Sequence, residues 1–225
     1  MSETETDQDR YLVPGLARGL AVLDAFKPDR RELSLSEIAR ILGLSRSAVF
    51  RSVYTLTHLG YLIGDPRNHI YRLGPAVLRL GHGYLADREL VQIALPELER
   101  LRDETEWSAH LGVRDGRSVL YMLRVPSRMG MGSIVHVGSR LPAATTTMGR
   151  ALLADLDEAS LVAVYRDEEI DRAAGNTPRN MAELVTQWRR DRDSETIVQM
   201  GSFERGIASV AAPVRDLSGG IIAAI

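Results

Sequence analysis

The stretch SLSEIARILGLSRSAVFRSVYTL, residues 34–56, decides how the first third of this chain folds. Ser34-Leu35-Ser36-Glu37 fits a capping box, in which a serine and a glutamate three residues on each satisfy a helix-terminal N–H. Leu35, Ile38, Ala39 and Leu42 follow at i, i+3, i+4 and i+7, the spacing of one buried helix face. Gly43 stands where a helix end favours a left-handed residue. Leu44 is placed to plug the junction, and Ser45 to cap a further helix. That helix is expected from Arg46 to Leu59, with Gly60 ending it and Val49, Val53 and Leu56 as its inner stripe. At about 100° per residue, Arg46, Phe50, Tyr54, Ser47 and Arg51 fall within one arc of roughly 140° on the other side. No acid occurs from Arg46 to Tyr54. Such a face can meet phosphates and base edges in a major groove; the plainer readings are a solvated face or a protein-docking face.

Upstream, Leu16, Leu20 and Leu23 recur at helical spacing, Phe26 extends their apolar face, and Pro28 stops a first helix. Downstream, Tyr61-Leu62-Ile63, a turn from Gly64 to His69, and Ile70-Tyr71-Arg72-Leu73 read as strand, turn, strand. Three helices and a β-hairpin make a winged helix-turn-helix, and Arg67 and His69 belong at or near the wing tip, within reach of a phosphate backbone. Gly74-Pro75 then opens a connector helix, with Val77, Leu78 and Leu85 on its apolar side. A further helical stretch, about residues 89–105, carries Leu90, Ile93, Ala94, Leu98 and Leu101, and Pro96 is expected to kink or divide it. The apolar faces of these segments are candidates for a subunit contact.

From Trp107 the pattern changes. WSAHLGV and SVLYMLRV read as strands paired across Asp115-Gly116, and SIVHVG as another. TTTMGRALLADL, residues 157–166 and residues 181–192 read as helices. TIVQMGSF, GIASVAAPV and GGIIAAI read as strands, the last two joined across Asp216-Leu217-Ser218-Gly219. The expected class is α+β: an N-terminal winged helix-turn-helix, a connector helix, and a C-terminal α/β domain with a mainly antiparallel sheet. The boundaries expected are a disordered tail over 1–10, a DNA-binding domain over 11–74, a linker helix over 75–89 and a second domain over 90–225. GGIIAAI has nothing after it to cover its apolar side, so a longer natural chain with a further helix is expected.

The totals narrow the function. A net charge of −2 hides an asymmetry. Residues 10–90 carry twelve Lys/Arg against seven Asp/Glu, whereas residues 1–9 carry four acids and no base, and residues 91–225 are net acidic. A polyanion would therefore meet the first module. No apolar run nears the roughly 20 residues of a membrane helix, and the polar opening MSETETDQDR is not a signal peptide; a cytoplasmic protein is expected. Cysteine is absent, so disulfides and thiolate sites are excluded. His58, His69, His82, His110 and His136 have no metal-site spacing, and neither a GxSxG elbow nor a P-loop occurs. Gly81-His82-Gly83-Tyr84-Leu85-Ala86 has the loose form of a dinucleotide loop but follows a helical segment rather than a strand. Gly130 and Gly132 in MGMGS point to a flexible loop. The carboxylates of residues 155–171 and 191–195 read as solvated helix faces. No catalytic group, cofactor or metal is expected. The segment Leu141-Pro142-Ala143-Ala144-Thr145-Thr146-Thr147-Met148-Gly149-Arg150 is suggestive: a loop feeds a helix whose first N–H groups favour an anion, beside threonine hydroxyls and apolar walls, although simple capping explains the same residues.

These motifs in this order resemble the IclR-type transcriptional regulators of bacteria. The resemblance spans about Leu16 to the last residue and rests on LARGLAVLDAF, LSLSEIARILGLSRSAVFRSVYTLTHLGYL, the wing ending YRLG, LPELERLRDET, LPAATTTMGRALLA and ERGIASVAAPVRD. It implies a GAF-like effector-binding domain, homodimers or dimers of dimers, and a small-molecule effector, often a carboxylic acid. SIVHVGSRLPAATTTMGRALLA looks most like regulators of aromatic-acid catabolism, of the protocatechuate and hydroxybenzoate kind. Against their usual pattern Leu141 replaces a Phe, Ala144 a Tyr, Thr145 an Ala and Thr147 a Ser, while Thr146 matches. By position the resemblance implies an effector pocket of Leu141, Thr146, Thr147, Met148, Gln199 and Ser209. The expectation is a regulator whose binding to double-stranded operator DNA is controlled by a small, aromatic organic acid. Arg46, Ser47, Phe50, Arg51 and Tyr54 would form its recognition face, with Ser45 capping that helix and Arg67 and His69 extending the wing. The rivals are an enzyme with an accessory winged helix and a winged helix used only for protein docking.

Overall fold

The computed structural model describes residues 11–86, 89–129, 135–166, 170, 177–200 and 207–225. The tail over 1–10 and the MGMGS glycines Gly130 and Gly132 lie outside these residues. The chain forms two compact units divided between residues 87 and 88.

The first unit holds α1 (Pro14–Asp24), β1 (Leu33–Ser34), α2 (Leu35–Leu42), α3 (Arg46–His58), β2 (Leu62–Asp65), β3 (Ile70–Leu73) and α4 (Ala76–Ala86). The capping box forms as read: Ser34 accepts from the Glu37 N–H, and the Glu37 carboxylate accepts from the Ser34 N–H. Gly43 ends α2 at φ 64°, a conformation in which a Cβ crowds the following carbonyl. Val22, Phe26, Leu33, Ile38, Val49, Val53 and Leu62 make the core, with Leu56 packed against it. Two readings are corrected. Leu16 and Leu20 are 63% and 54% exposed; Val22 on α1 and Ala25 after it are buried in their place, while Phe26 is buried as expected. Helical spacing identifies stripes but not which stripe meets the core when two are apolar. Leu44, expected as a plug, is also exposed. The wing has a third strand that the sequence did not announce: β1 pairs with β3 through Leu33↔Tyr71 and Ser34↔Ile70, giving the order β1-β3-β2.

The second unit holds α5 (Glu89–Thr105), β4 (Ala109–Asp115), β5 (Ser118–Val125), β6 (Arg140–Pro142), α6 (Thr147–Leu153), α7 (Glu158–Tyr165), α8 (Met181–Arg192), β7 (Ile197–Met200), β8 (Ala208–Ala211), β9 (Pro213–Arg215) and β10 (Ile221–Ala224). Pro96 lies inside α5 without dividing it. β6-β5-β4-β10-β9 form one sheet and β7-β8 a separate ribbon, every pair antiparallel. SIVHVG is not the expected strand over its described part: residues 135–139 form a turn, in which the Gly138 N–H donates to Tyr121 and the Ser139 N–H to His136. The third strand of that sheet begins at Arg140. The core gathers Val119, Tyr121, Ala143, Met148, Leu152, Leu161, Leu184, Trp188 and Ile197. Among the described residues no helix is long and apolar enough to cross a membrane.

Candidate nucleic-acid interface and ligand site

In the first unit, the Ser45 hydroxyl accepts from the Ala48 N–H at 3.2 Å, so the N-terminus of α3 is capped as read. It also lies 3.1 Å from the Ser47 hydroxyl. Val49 and Val53 are buried to 0% exposure, which fixes the rotation of α3 and turns the opposite side outward. Arg46, Ser47, Phe50, Arg51 and Tyr54 are all exposed there. Phe50 and Tyr54 lie side by side, tilted 38° to each other with ring centroids 6.2 Å apart, two large apolar rings left in water on a face that carries two guanidinium groups. One contributor escaped the sequence reading. Arg18, on α1, donates from Nη1 to the Ala48 carbonyl at 3.3 Å and ties α1 to the first turn of α3; its only signal was a lone arginine inside an apolar helical stripe.

Residues 66–69 connect β2 to β3. The Asp65 carboxylate organises this turn, accepting from the Arg67 N–H at 2.9 Å and from Asn68 Nδ2 at 2.8 Å. The Arg67 N–H, then the Asn68 side chain, hold its carboxyl below the usual range. His69 takes a left-handed backbone at φ 54°, which histidine adopts more readily than most residues. Arg67 and His69 are both exposed at this tip.

In the second unit, Thr147, Gln199 and Ser209 come together from three elements. Gln199 and Ser209 stand opposite each other in the β7-β8 register, and the Thr147 hydroxyl, in the first turn of α6, donates to Gln199 Oε1 at 3.2 Å. It also shares a short hydrogen bond with the Ser209 hydroxyl. Thr147 and Gln199 are 5% and 7% exposed and Ser209 is half-buried, so this is a polar cluster at the edge of an apolar core. Met148 is buried beside it and Leu141 packs against the same core. Thr146 does not join the cluster: its hydroxyl turns back to the Pro142 carbonyl at 2.9 Å and makes no cap bond to the helix. Gly149 is required here by space, since a Cβ would sit 2.3 Å from both Cα and O of Ala143. The helix is held from behind by Arg150 on Asp191, by Trp188 Nε1 on the Leu153 carbonyl at 3.1 Å and by Gln187 Nε2 on the Ala144 carbonyl at 3.0 Å. None of these three ties was foreseen, because each joins residues far apart in sequence.

Comparison with known proteins follows this division. Residues 15–66 match the IclR helix-turn-helix domain and residues 82–225 match the bacterial transcriptional regulator IclR C-terminal domain. The Pca regulon regulatory protein of Pseudomonas putida is 35% identical over 96% of this chain and 74% of its own length. The p-hydroxybenzoate hydroxylase transcriptional activator of Acinetobacter baylyi is 31% identical over 100% of this chain and 83% of its own. A crystal structure of an IclR homologue complexed with 4-hydroxybenzoate, from Microbacterium hydrocarbonoxydans, superposes with a TM-score of 0.76 at 26% identity, covering 93% of this chain and 86% of that one.

Proposed function

The chain belongs to the IclR family of bacterial transcriptional regulators, and on that premise we propose that it is a cytoplasmic regulator whose hold on operator DNA is set by a small aromatic acid bound in the second unit. The family's relatives are regulators and not enzymes, which removes the enzyme rival. The observation that carries the effector reading is the Thr147–Gln199–Ser209 group, because a few polar side chains converging beside apolar walls are what orients a ligand in such a site. The 4-hydroxybenzoate held by the Microbacterium homologue supports an aromatic acid as the class.

Arg46, Ser47, Phe50, Arg51 and Tyr54 read the major groove in this account, and Arg67 and His69 touch the flanking backbone. The protein acts as a dimer, alone or paired into a dimer of dimers. The exposed Tyr11, Leu12, Val13, Leu16 and Leu20 near the start of the chain and Leu78 and Leu80 on α4 support this, since large apolar groups clustered on a surface mark a contact. Fluorescence anisotropy on a DNA fragment from the neighbourhood of the gene tests the reading. Affinity should fall steeply with salt and change on adding 4-hydroxybenzoate; a salt-insensitive interaction would favour the protein-docking rival instead.

A further inference from the structure

We propose that His110 and Arg124, on the sheet of the second unit, form a second pole of the effector site and take the carboxylate of the bound acid. The Thr147–Gln199–Ser209 group is then left to a neutral polar end of the same ligand, such as a ring hydroxyl. The inference deepens the effector reading and rests on it.

β4 and β5 pair His110↔Arg124, Gly112↔Tyr121 and Arg114↔Val119, with an irregularity between Leu111 and Gly112 that leaves Met122 as the extra residue on β5. Directly paired residues share a face of the sheet, so His110, Gly112, Val119, Tyr121 and Arg124 look the same way. That face is the one α6 covers: a Cβ at Gly112 would lie 3.1 Å from Met148 Cε and 2.6 Å from Val119 Cγ1. Thr147 immediately precedes Met148. His110 lies two residues from Gly112 on the same side of β4, about 6.6–6.8 Å along the strand.

Three further observations give this pole its chemistry. His110 Nε2 is buried and makes no hydrogen bond among the described residues, a state native proteins avoid unless something else fills the valence. The Tyr121 ring stands edge-on to the imidazole at 5.7 Å and 88°, which holds the ring plane and so the direction of that nitrogen. Burial, then the Arg124 charge, pushes the His110 pKa down to about 4. At neutral pH the imidazole therefore serves as a neutral donor, and the guanidinium supplies the positive charge. Among the described side chains, the polar groups at the α6 end of the site are hydroxyls and an amide, with no cation. A buried carboxylate is tolerated beside a cation and is costly without one, and a planar guanidinium matches its two oxygens. Charge complementarity thus places the anionic end against the sheet, although the helix N-terminus was the place the sequence suggested.

Calorimetry on the full chain with 4-hydroxybenzoate, benzoate and 4-hydroxybenzamide tests this. We expect His110→Leu and Arg124→Met each to weaken 4-hydroxybenzoate at least tenfold and to leave 4-hydroxybenzamide within about twofold of the wild type. Thr147→Val should weaken 4-hydroxybenzoate and spare benzoate, which has no hydroxyl. If either sheet variant fails to fold by circular dichroism, His110→Gln and Arg124→Lys carry the test, and both should still weaken the acid selectively over the amide. Sheet variants that bind the acid like the wild type, beside a weakened Thr147→Val, would overturn the carboxylate pole while the effector reading stands. A wild-type protein that binds neither acid would overturn the effector reading and this inference together.

Discussion

Replacing Asp191 by alanine removes one half of a buried ion pair and strands the other. Arg150 donates to the two Asp191 oxygens from Nε at 2.8 Å and from Nη2 at 2.5 Å, and the two side chains are 17% and 6% exposed. Breaking such a pair from one side costs about 3–5 kcal/mol, because the surviving charge keeps its desolvation penalty and loses its partner. The partial exposure of Arg150 lets some water reach the guanidinium, so about 3 kcal/mol is expected. Against a domain stability of about 5–15 kcal/mol, that is a large loss. The double variant Arg150→Met/Asp191→Ala leaves no stranded charge and should recover most of it. Urea unfolding followed by the fluorescence of Trp188 reports on this region directly, since that indole is buried beneath the Arg192 guanidinium at 4.8 Å. The more exposed Trp107 is best changed to phenylalanine as background. With a slope of roughly 1–3 kcal/mol/M, the midpoint should fall by about 1–3 M. An Asp191→Ala protein within about 0.5 kcal/mol of the wild type, or a double variant as unstable as the single, would refute the reasoning.

Arg51→Ala should weaken operator binding by roughly 1–3 kcal/mol if that side chain reads a base, and equal footprints from variant and wild type would remove Arg51 from the recognition face. Arg67→Ala should weaken binding to all sequences alike and lower the slope of log affinity against log salt by about one; an unchanged slope would place the wing tip away from the backbone. Unfolded, the His110 imidazole takes a proton below about 6.5, but in the fold only below about 4, so between these values the unfolded chain holds the extra proton. Its contribution to stability is therefore intact above pH 6.5 and lost as pH falls toward 4, by up to about 3 kcal/mol. His110→Phe should flatten that part of the urea midpoint-against-pH curve, and an unaltered curve would contradict the burial argument.

What the sequence made legible was local. The capping box at Ser34–Glu37, the left-handed Gly43, the Ser45 cap and the valine stripe of α3 each depend on residues within a turn of one another, and each formed as read. What it hid was pairing at a distance. β1 is two residues long and exists because Tyr71 and Ile70 lie beside it. Arg150 and Asp191 are 41 residues apart, and neither residue type looks unusual alone. The irregularity opposite Leu111 shifts which residues of β5 share a face with His110, so simple alternation along SVLYMLRV does not predict that Arg124 joins it. The six ligand-site residues came from resemblance by position, and the structure brings Thr147, Gln199 and Ser209 into contact while Thr146 bonds to its own loop.

The central claim is that an aromatic acid bound in the second unit changes the grip of the first unit on DNA. It is tested most directly by titrating the protein onto a fluorescent operator fragment at fixed salt, with saturating 4-hydroxybenzoate, with 4-hydroxybenzamide and with neither. The predicted result is that the acid shifts the apparent Kd by at least fivefold, that the amide does not, and that Thr147→Val needs more acid to reach the same shift without altered affinity in the absence of ligand. Identical binding curves under all three conditions, on DNA the protein demonstrably recognises and with the acid shown to be bound, would contradict it.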